Sequence, residues 1–159
     1  MILNKASLFG LFAVLELASD PERQLSTSDI ADQYGISTHH LAKVMRNLVQ
    51  NGLVQAMRGA GGGYRFAGNL NRTTLLDVIQ LFEKLESQLD MPNYRDHAAD
   101  PIVAELQSVS DEIDELTKAV LDTITLATAL KSTRQRAEAG SAAKAAGAAA
   151  GKATRTRKA

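Results

Sequence analysis

Helical periodicity over residues 4–51, a glycine-bounded pair of short strands within 53–67 and a 3.5-residue apolar repeat over 101–130 predict a mainly α fold with one small β-hairpin. In architectural terms this is a winged helix-turn-helix domain followed by a long dimerisation helix. The composition agrees. Apolar residues make up 45% of the 159, aromatics 4%, and Trp is absent. A core of Leu, Ile, Val and Ala suits packed helices better than a β-sandwich.

Residues 4–19 read as the first helix, with Leu8, Leu11, Phe12 and Leu15 on one face. Asp20-Pro21-Glu22 ends it, because proline disfavours helix in the residue before it. Residues 27–34 read as a short second helix. Ser26 or Thr27 serves as N-cap, Asp29 lies in the first turn, and Ile30 and Ala31 supply the buried side. Gly35 permits a left-handed stop, and Ser37 caps a third helix over about 38–51. In that helix Leu41, Val44, Met45 and Leu48 share one face, and His39, Lys43, Arg46, Asn47 and Gln50 share the opposite one. One face packs while the other offers donors and cations outward, the division that a recognition helix in a major groove needs.

Residues 53–58 and 63–67 read as strands joined by Gly59-Ala60-Gly61-Gly62. The glycines supply positive φ and a bare backbone that can approach a phosphate. Thr73 is the expected cap of a helix over about 74–87, and 88–100 reads as a polar loop. In the long helix that follows, Ile102, Leu106, Val109, Ile113, Leu116 and Val120 alternate spacings of four and three, and Ile124, Ala127 and Leu130 continue the stripe. At about 45 Å it would overhang the preceding domain, so a second copy is the economical partner. From about residue 132 the chain is Ala, Gly, Lys, Arg and Thr and is expected to be disordered, with at most transient helix. The expected organisation is a DNA-binding domain at 1–88, a loop at 89–100, a dimerisation helix at 101–131 and a basic tail at 132–159.

A formal net charge of zero hides an uneven distribution. Residues 1–88 hold eight basic and eight acidic residues, 89–130 two and nine, and 131–159 eight and one. The absence of cysteine excludes disulfides, thiolate metal sites and a cysteine nucleophile. No run approaches the roughly 18 apolar residues of a membrane span. Met1-Ile2-Leu3-Asn4-Lys5 leads into an amphipathic helix without an A-x-A-like cleavage site, so a cytoplasmic protein is expected. No Ser/His/Asp arrangement or carboxylate pair has an interpretable spacing, so no enzyme is expected. The glycine turn lacks the strand-then-helix context of a nucleotide-phosphate loop. His39 and His40 point about 100° apart on a helix and cannot easily share an ion, and His97 stands alone, so no metal or other cofactor is expected.

The expected partner is double-stranded DNA. His39 and Lys43 face base edges, Arg46 and Asn47 contact backbone or bases, and Ser37, Thr38 and His40 lie near phosphates. Arg58 reaches the neighbouring minor groove or its phosphates, with Gly59, Gly61, Gly62, Tyr64 and Arg65 completing the wing surface. Homodimer pairing through Ile102, Leu106, Val109, Ile113, Leu116, Val120 and Ile124 fits a palindromic operator. The tail reads equally as a solubilising extension or as a nonspecific DNA-binding arm. A second reading of the whole chain is an architectural or protein-interaction module that uses the long helix and the tail.

Ile30-Ala31, Tyr34-Gly35-Ile36-Ser37, Leu41, Leu48, Asn51-Gly52-Leu53-Val54 and the run from Arg58 to Tyr64 resemble the IscR/NsrR-type winged-helix regulators, the "Rrf-two" family, over roughly residues 1–130. The stretch from His40 to Val44 is most similar to the nitric-oxide-sensing branch. The resemblance implies a homodimeric bacterial repressor or activator, here expected to be a repressor, with a DNA contact at Arg58. For many members it also implies an iron–sulfur cluster on cysteines in the loop before the long helix. Residues 88–100 contain none, and Asp96 and His97 are the ligand-like side chains there, so a cluster-independent regulator is expected with its effector left open. Ala42 stands where some members carry an acidic base-reading residue, so an operator sequence does not carry over.

Overall fold

A computed structural model describes residues 3–59, 61–86 and 100–156. The loop expected at 89–100, with Asp96 and His97, lies outside the described residues apart from Asp100, and Ala60 of the wing lies outside them too. The chain forms two units, Met1–Leu126 and Ala127–Ala159.

Helix α1 (Lys5–Ser19) opens on Asn4, whose side chain accepts the Ser7 N–H at 2.8 Å. It buries Ser7, Gly10, Ala13, Val14, Leu17 and Ala18. The face predicted from the larger apolar residues is only partly covered: Leu11, Phe12 and Leu15 are half-buried and Leu8 remains 38% exposed. Close approach explains the difference: a Cβ on Gly10 would run into the ring of Phe82. The Ser26–Asp29 capping box starts α2 (Thr27–Tyr34), and Gly35, at φ 63°, ends it by donating to the Ala31 carbonyl. Tyr34 fastens α2 to α1. Its ring stacks on Phe12 with centroids 4.7 Å apart, and its hydroxyl donates to Glu16 at 2.8 Å. Burial, then the hydrogen bond to the Glu16 carboxylate, push the Tyr34 phenol up to about 12. Helix α3 (Thr38–Gln50) follows and buries the expected Leu41, Val44, Met45 and Leu48.

Strands β1 (Val54–Met57) and β2 (Gly63–Phe66) pair antiparallel, with Val54 opposite Phe66 and Met57 opposite Gly63. A third segment joins them: Leu25 and Tyr64 exchange both backbone hydrogen bonds, at 3.1 and 2.8 Å. That contact ties the hairpin to the loop before α2. It also explains Gly63, where a Cβ would lie 2.6 Å from the Leu25 carbonyl oxygen.

Thr74, not the expected Thr73, caps α4 (Leu75–Gln80) through a capping box with Asp77. The helix is shorter than 74–87 because the following chain turns to hold the start of α1. The Asn4 N–H donates to Glu83 at 3.1 Å, and the Asn4 side-chain amide donates to the Phe82 carbonyl at 3.4 Å. Val14, Leu17, Ile30, Leu41, Met45, Leu48 and Ile79 are fully buried and form the core beneath α3.

Helix α5 (Pro101–Thr123) begins where Asp100 accepts the Ile102 N–H at 2.8 Å. It stops before the stripe does, so the single helix expected over 101–131 is in fact two. Ile124 is extended. Its carbonyl accepts the Leu75 N–H at 2.9 Å, and the Leu126 N–H donates to Thr73 at 2.9 Å. The β-branched run Thr123-Ile124-Thr125 favours strand over helix and finds these backbone partners. Ile124 therefore lies outside α5 and does not continue its apolar stripe. Helix α6 (Leu126–Thr156) covers most of the tail, where disorder with transient alanine-rich helix is the expectation from sequence. Alanine, the strongest helix former, dominates this segment and offsets the absence of a core. No helix among the described residues is long and apolar enough to cross a membrane.

Candidate nucleic-acid interface

Residues 33–76 hold five basic residues and no acidic one. They comprise α3 and the hairpin, so the positive charge concentrates on the unit whose surface faces outward. The capping of α2, the left-handed Gly35 and the four buried side chains of α3 together fix which side of α3 meets solvent. On that side Ser37, Thr38, His39, His40, Ala42, Lys43, Arg46 and Gln50 are exposed. Ser37 occupies the N-cap position of α3 but makes no side-chain cap hydrogen bond, contrary to expectation. Its hydroxyl stands instead at the positive end of the helix dipole.

The hairpin turn places Arg58 in solvent beside Gly59, at φ 111°, and Gly61, at φ 80°. Non-glycine residues resist both conformations. The Gly62 N–H donates to the Gly59 carbonyl at 2.9 Å and closes the turn. Among the described residues Arg58 forms no ion pair, which leaves its guanidinium available at the wing tip.

Two expected contact residues are committed elsewhere. The Asn47 amide donates to the Leu81 carbonyl at 2.9 Å, and its side-chain oxygen accepts from Asn51 at 2.7 Å. Asn47 therefore links α3 to the end of α4. Arg65 donates to the Pro21 carbonyl at 3.2 Å and pairs with Glu22 at 3.0 Å. It braces the wing against the loop after α1. Tyr64 is half-buried and does its work through its backbone, which pairs with Leu25.

One residue escaped sequence reasoning. Lys5, Ala6 and Phe9 of α1 meet His40, Lys43 and Val44 of α3 around a groove of about 230 Å³. Lys5 thus joins the cationic side of α3 through a contact between distant segments, and its local sequence carries no signal of it. His39 and His40 stand with ring centroids 6.1 Å apart and tilted by 60°. The described residues contain no group of three or more His, Asp, Glu or Cys that could hold a metal ion.

A second surface lies on α5. Val103 is buried, and Gln107, Ser110, Asp114, Thr117 and Leu121 are half-buried, forming the stripe turned toward the rest of its unit. The neighbouring stripe is bare: Ile102, Leu106, Val109, Ile113, Leu116 and Val120 are 46–71% exposed. Isolated exposed apolar residues are ordinary, whereas a continuous row of six is not.

The chain is similar to known proteins in sequence and fold. The family model for Rrf2, described as an iron-dependent transcriptional regulator, matches residues 3–132 and leaves the tail outside. The HTH-type transcriptional regulator BadM of Rhodopseudomonas palustris is 47% identical over 131 residues, which are 82% of each chain. Among solved structures, T. potens IscR superposes with a TM-score of 0.66 at 28% identity, covering 84% of this chain and 88% of its own. CymR, the global cysteine regulator of B. subtilis, superposes at 0.63 and 25% identity, covering 82% and 97%. The iron dependence in the family description is not matched by the donor set here. The chain has no cysteine, and its described histidines and carboxylates do not converge, so these residues do not fit a thiolate-held iron–sulfur cluster.

Proposed function

The chain belongs to the Rrf2 family of transcriptional regulators, and on that premise we propose that it is a homodimeric, sequence-specific DNA-binding repressor that works without an iron–sulfur cluster. The observation that carries the reading is the exposed cationic face of α3 beside an exposed wing arginine, within a stretch that contains no acidic residue. A helix of this width fits the major groove. His39 and Lys43 meet base edges, and Arg46 with Ser37, Thr38 and His40 holds the backbone. Lys5 adds a cation from α1. Arg58 enters the adjacent minor groove or grips its phosphates, with Gly59, Gly61 and Gly62 allowing the backbone close. Asn47, Tyr64 and Arg65 hold α3 and the wing in their mutual geometry.

The bare stripe of α5 supports pairing with a second copy. Two-fold pairing presents two copies of α3 to two inverted half-sites, which makes the operator palindromic. Occupation of such a site blocks transcription, and the protein acts in the cytoplasm where the DNA is. Cluster independence rests on the missing thiolates. The test is selection of genomic fragments by the full chain followed by sequencing, with an absorption spectrum of protein purified without oxygen. Enriched fragments that share an inverted repeat, bound by colourless protein, are expected. Recovery of fragments in input proportions would refute sequence-specific binding, and visible iron–sulfur absorption would refute cluster independence.

A further inference from the structure

We propose that residues 131–159 form a DNA-backbone arm that adds sequence-independent affinity to the winged domain, an inference that rests on the DNA-binding reading above. The argument begins with charge. Residues 131–159 hold eight basic residues and one acidic, whereas residues 1–130 hold ten and seventeen. Without the arm, a chain of net negative charge would approach a polyanion, and long-range repulsion would oppose the docking of α3 and the wing. The arm reverses that balance.

Its composition suits this partner better than a protein surface. From Lys131 onward there is no Leu, Ile, Val, Met, Phe or Tyr, so this segment offers no apolar stripe for a partner helix or groove. Lys131 and Arg136 are exposed, and the basic residues recur at irregular spacings along the sequence. That pattern reads no base and favours a target whose charge is dense and repetitive. The competing target is the chain's own acidic segment 89–130, with nine acidic residues and two basic. Duplex DNA, with one negative charge per roughly 1.7 Å of axis, outweighs it. Reach is not limiting: the segment spans about 44 Å as helix and about 95 Å fully extended. Either length exceeds one turn of duplex, about 34–36 Å.

The test compares the full chain with a full-length variant carrying Lys144→Gln, Lys152→Gln, Arg155→Gln, Arg157→Gln and Lys158→Gln. Glutamine keeps helix propensity while removing charge. Fluorescence anisotropy is measured on the selected operator duplex and on a scrambled duplex of equal length. If the five substitutions remove about two phosphate contacts, the slope of log affinity against log salt becomes shallower by about two. Between about 50 and about 200 mM salt the full chain then loses about twelvefold more affinity than the variant. The ratio of operator to scrambled affinity stays the same. Identical slopes would overturn the proposal, as would tighter binding by the variant, which would place the arm on the acidic segment. If neither protein prefers the operator, the DNA-reading proposal fails, while the difference in slopes still decides the arm.

Discussion

Replacement of Ile113 by alanine tests the α5 seam quantitatively. Complete burial of an Ile side chain is worth about 1.5–3 kcal/mol. Ile113 is already partly covered within its own chain and remains 57% exposed. Pairing can therefore bury little more than half of it, about 0.9–1.7 kcal/mol per chain. A two-fold interface counts the residue twice, so Ile113→Ala should cost the dimer up to about 1.8–3.4 kcal/mol and raise its dissociation constant by as much as about twenty- to three-hundredfold. Sedimentation equilibrium over a concentration series measures that constant, and far-UV circular dichroism checks that helix content is kept. Because α5 packs on its own unit through Val103 and Leu121, each more than about two turns from Ile113, the isolated chain should retain its fold. A dimer constant unchanged from that of the parent protein would refute the assignment of this stripe to self-association.

Arg58→Ala should weaken binding to every duplex and reduce the salt slope by about one, read in a gel-shift titration at several salt concentrations. Asn47→Ala should behave differently: losing the bond to Leu81 should cost about 1–2 kcal/mol in urea unfolding while the preferred DNA sequence stays the same. Gly63→Ala would bring a Cβ against the Leu25 carbonyl and displace the wing, so DNA affinity should fall although α2 and α3 remain folded by hydrogen exchange. The Tyr34 phenol, pushed from 10 up to about 12 by burial and by Glu16, predicts a pH effect. A folded pKa above the unfolded one gives stability that is full below pH 10 and is lost as pH rises toward 12. Thermal unfolding of Tyr34→Phe should show a shallower alkaline decline than the parent protein, and parallel curves would contradict the role given to the Glu16 hydrogen bond.

Local signals made much of the fold legible. The capping residues of α2, the glycine stop at Gly35 and the apolar face of α3 are decided within a few residues of chain, and the structure keeps all of them. The glycine turn marked the hairpin for the same reason, since Gly59 and Gly61 need positive φ wherever they are placed. What the sequence left illegible depends on distant partners. Leu8, Leu11 and Leu15 outrank Gly10 and Ala13 in hydrophobicity, yet tight packing selects the small residues, and Phe82 lies far along the chain. Arg65 looks like a wing cation until Pro21 and Glu22 are brought beside it. Asn47 has the spacing of a base-reading residue, and only the end of α4 shows that its amide is occupied. The break at Ile124 likewise depends on Thr73 and Leu75 presenting backbone groups. In the tail two local arguments pull in opposite directions, low hydrophobicity toward disorder and alanine's propensity toward helix, and α6 is helix through Thr156.

The central claim is that the outward face of α3 reads DNA sequence, and base-resolved selection with Lys43→Ala beside the parent chain tests it most directly. Lys43 is exposed on that face, four residues beyond His39 and one turn before Asn47. If it meets a base edge, the variant should lose discrimination at one position in each half-site, worth about 1–3 kcal/mol there, while the rest of the motif persists. An unchanged motif bound with uniformly lower affinity would contradict the claim, because Lys43 would then be holding phosphate and the reading of sequence would lie elsewhere.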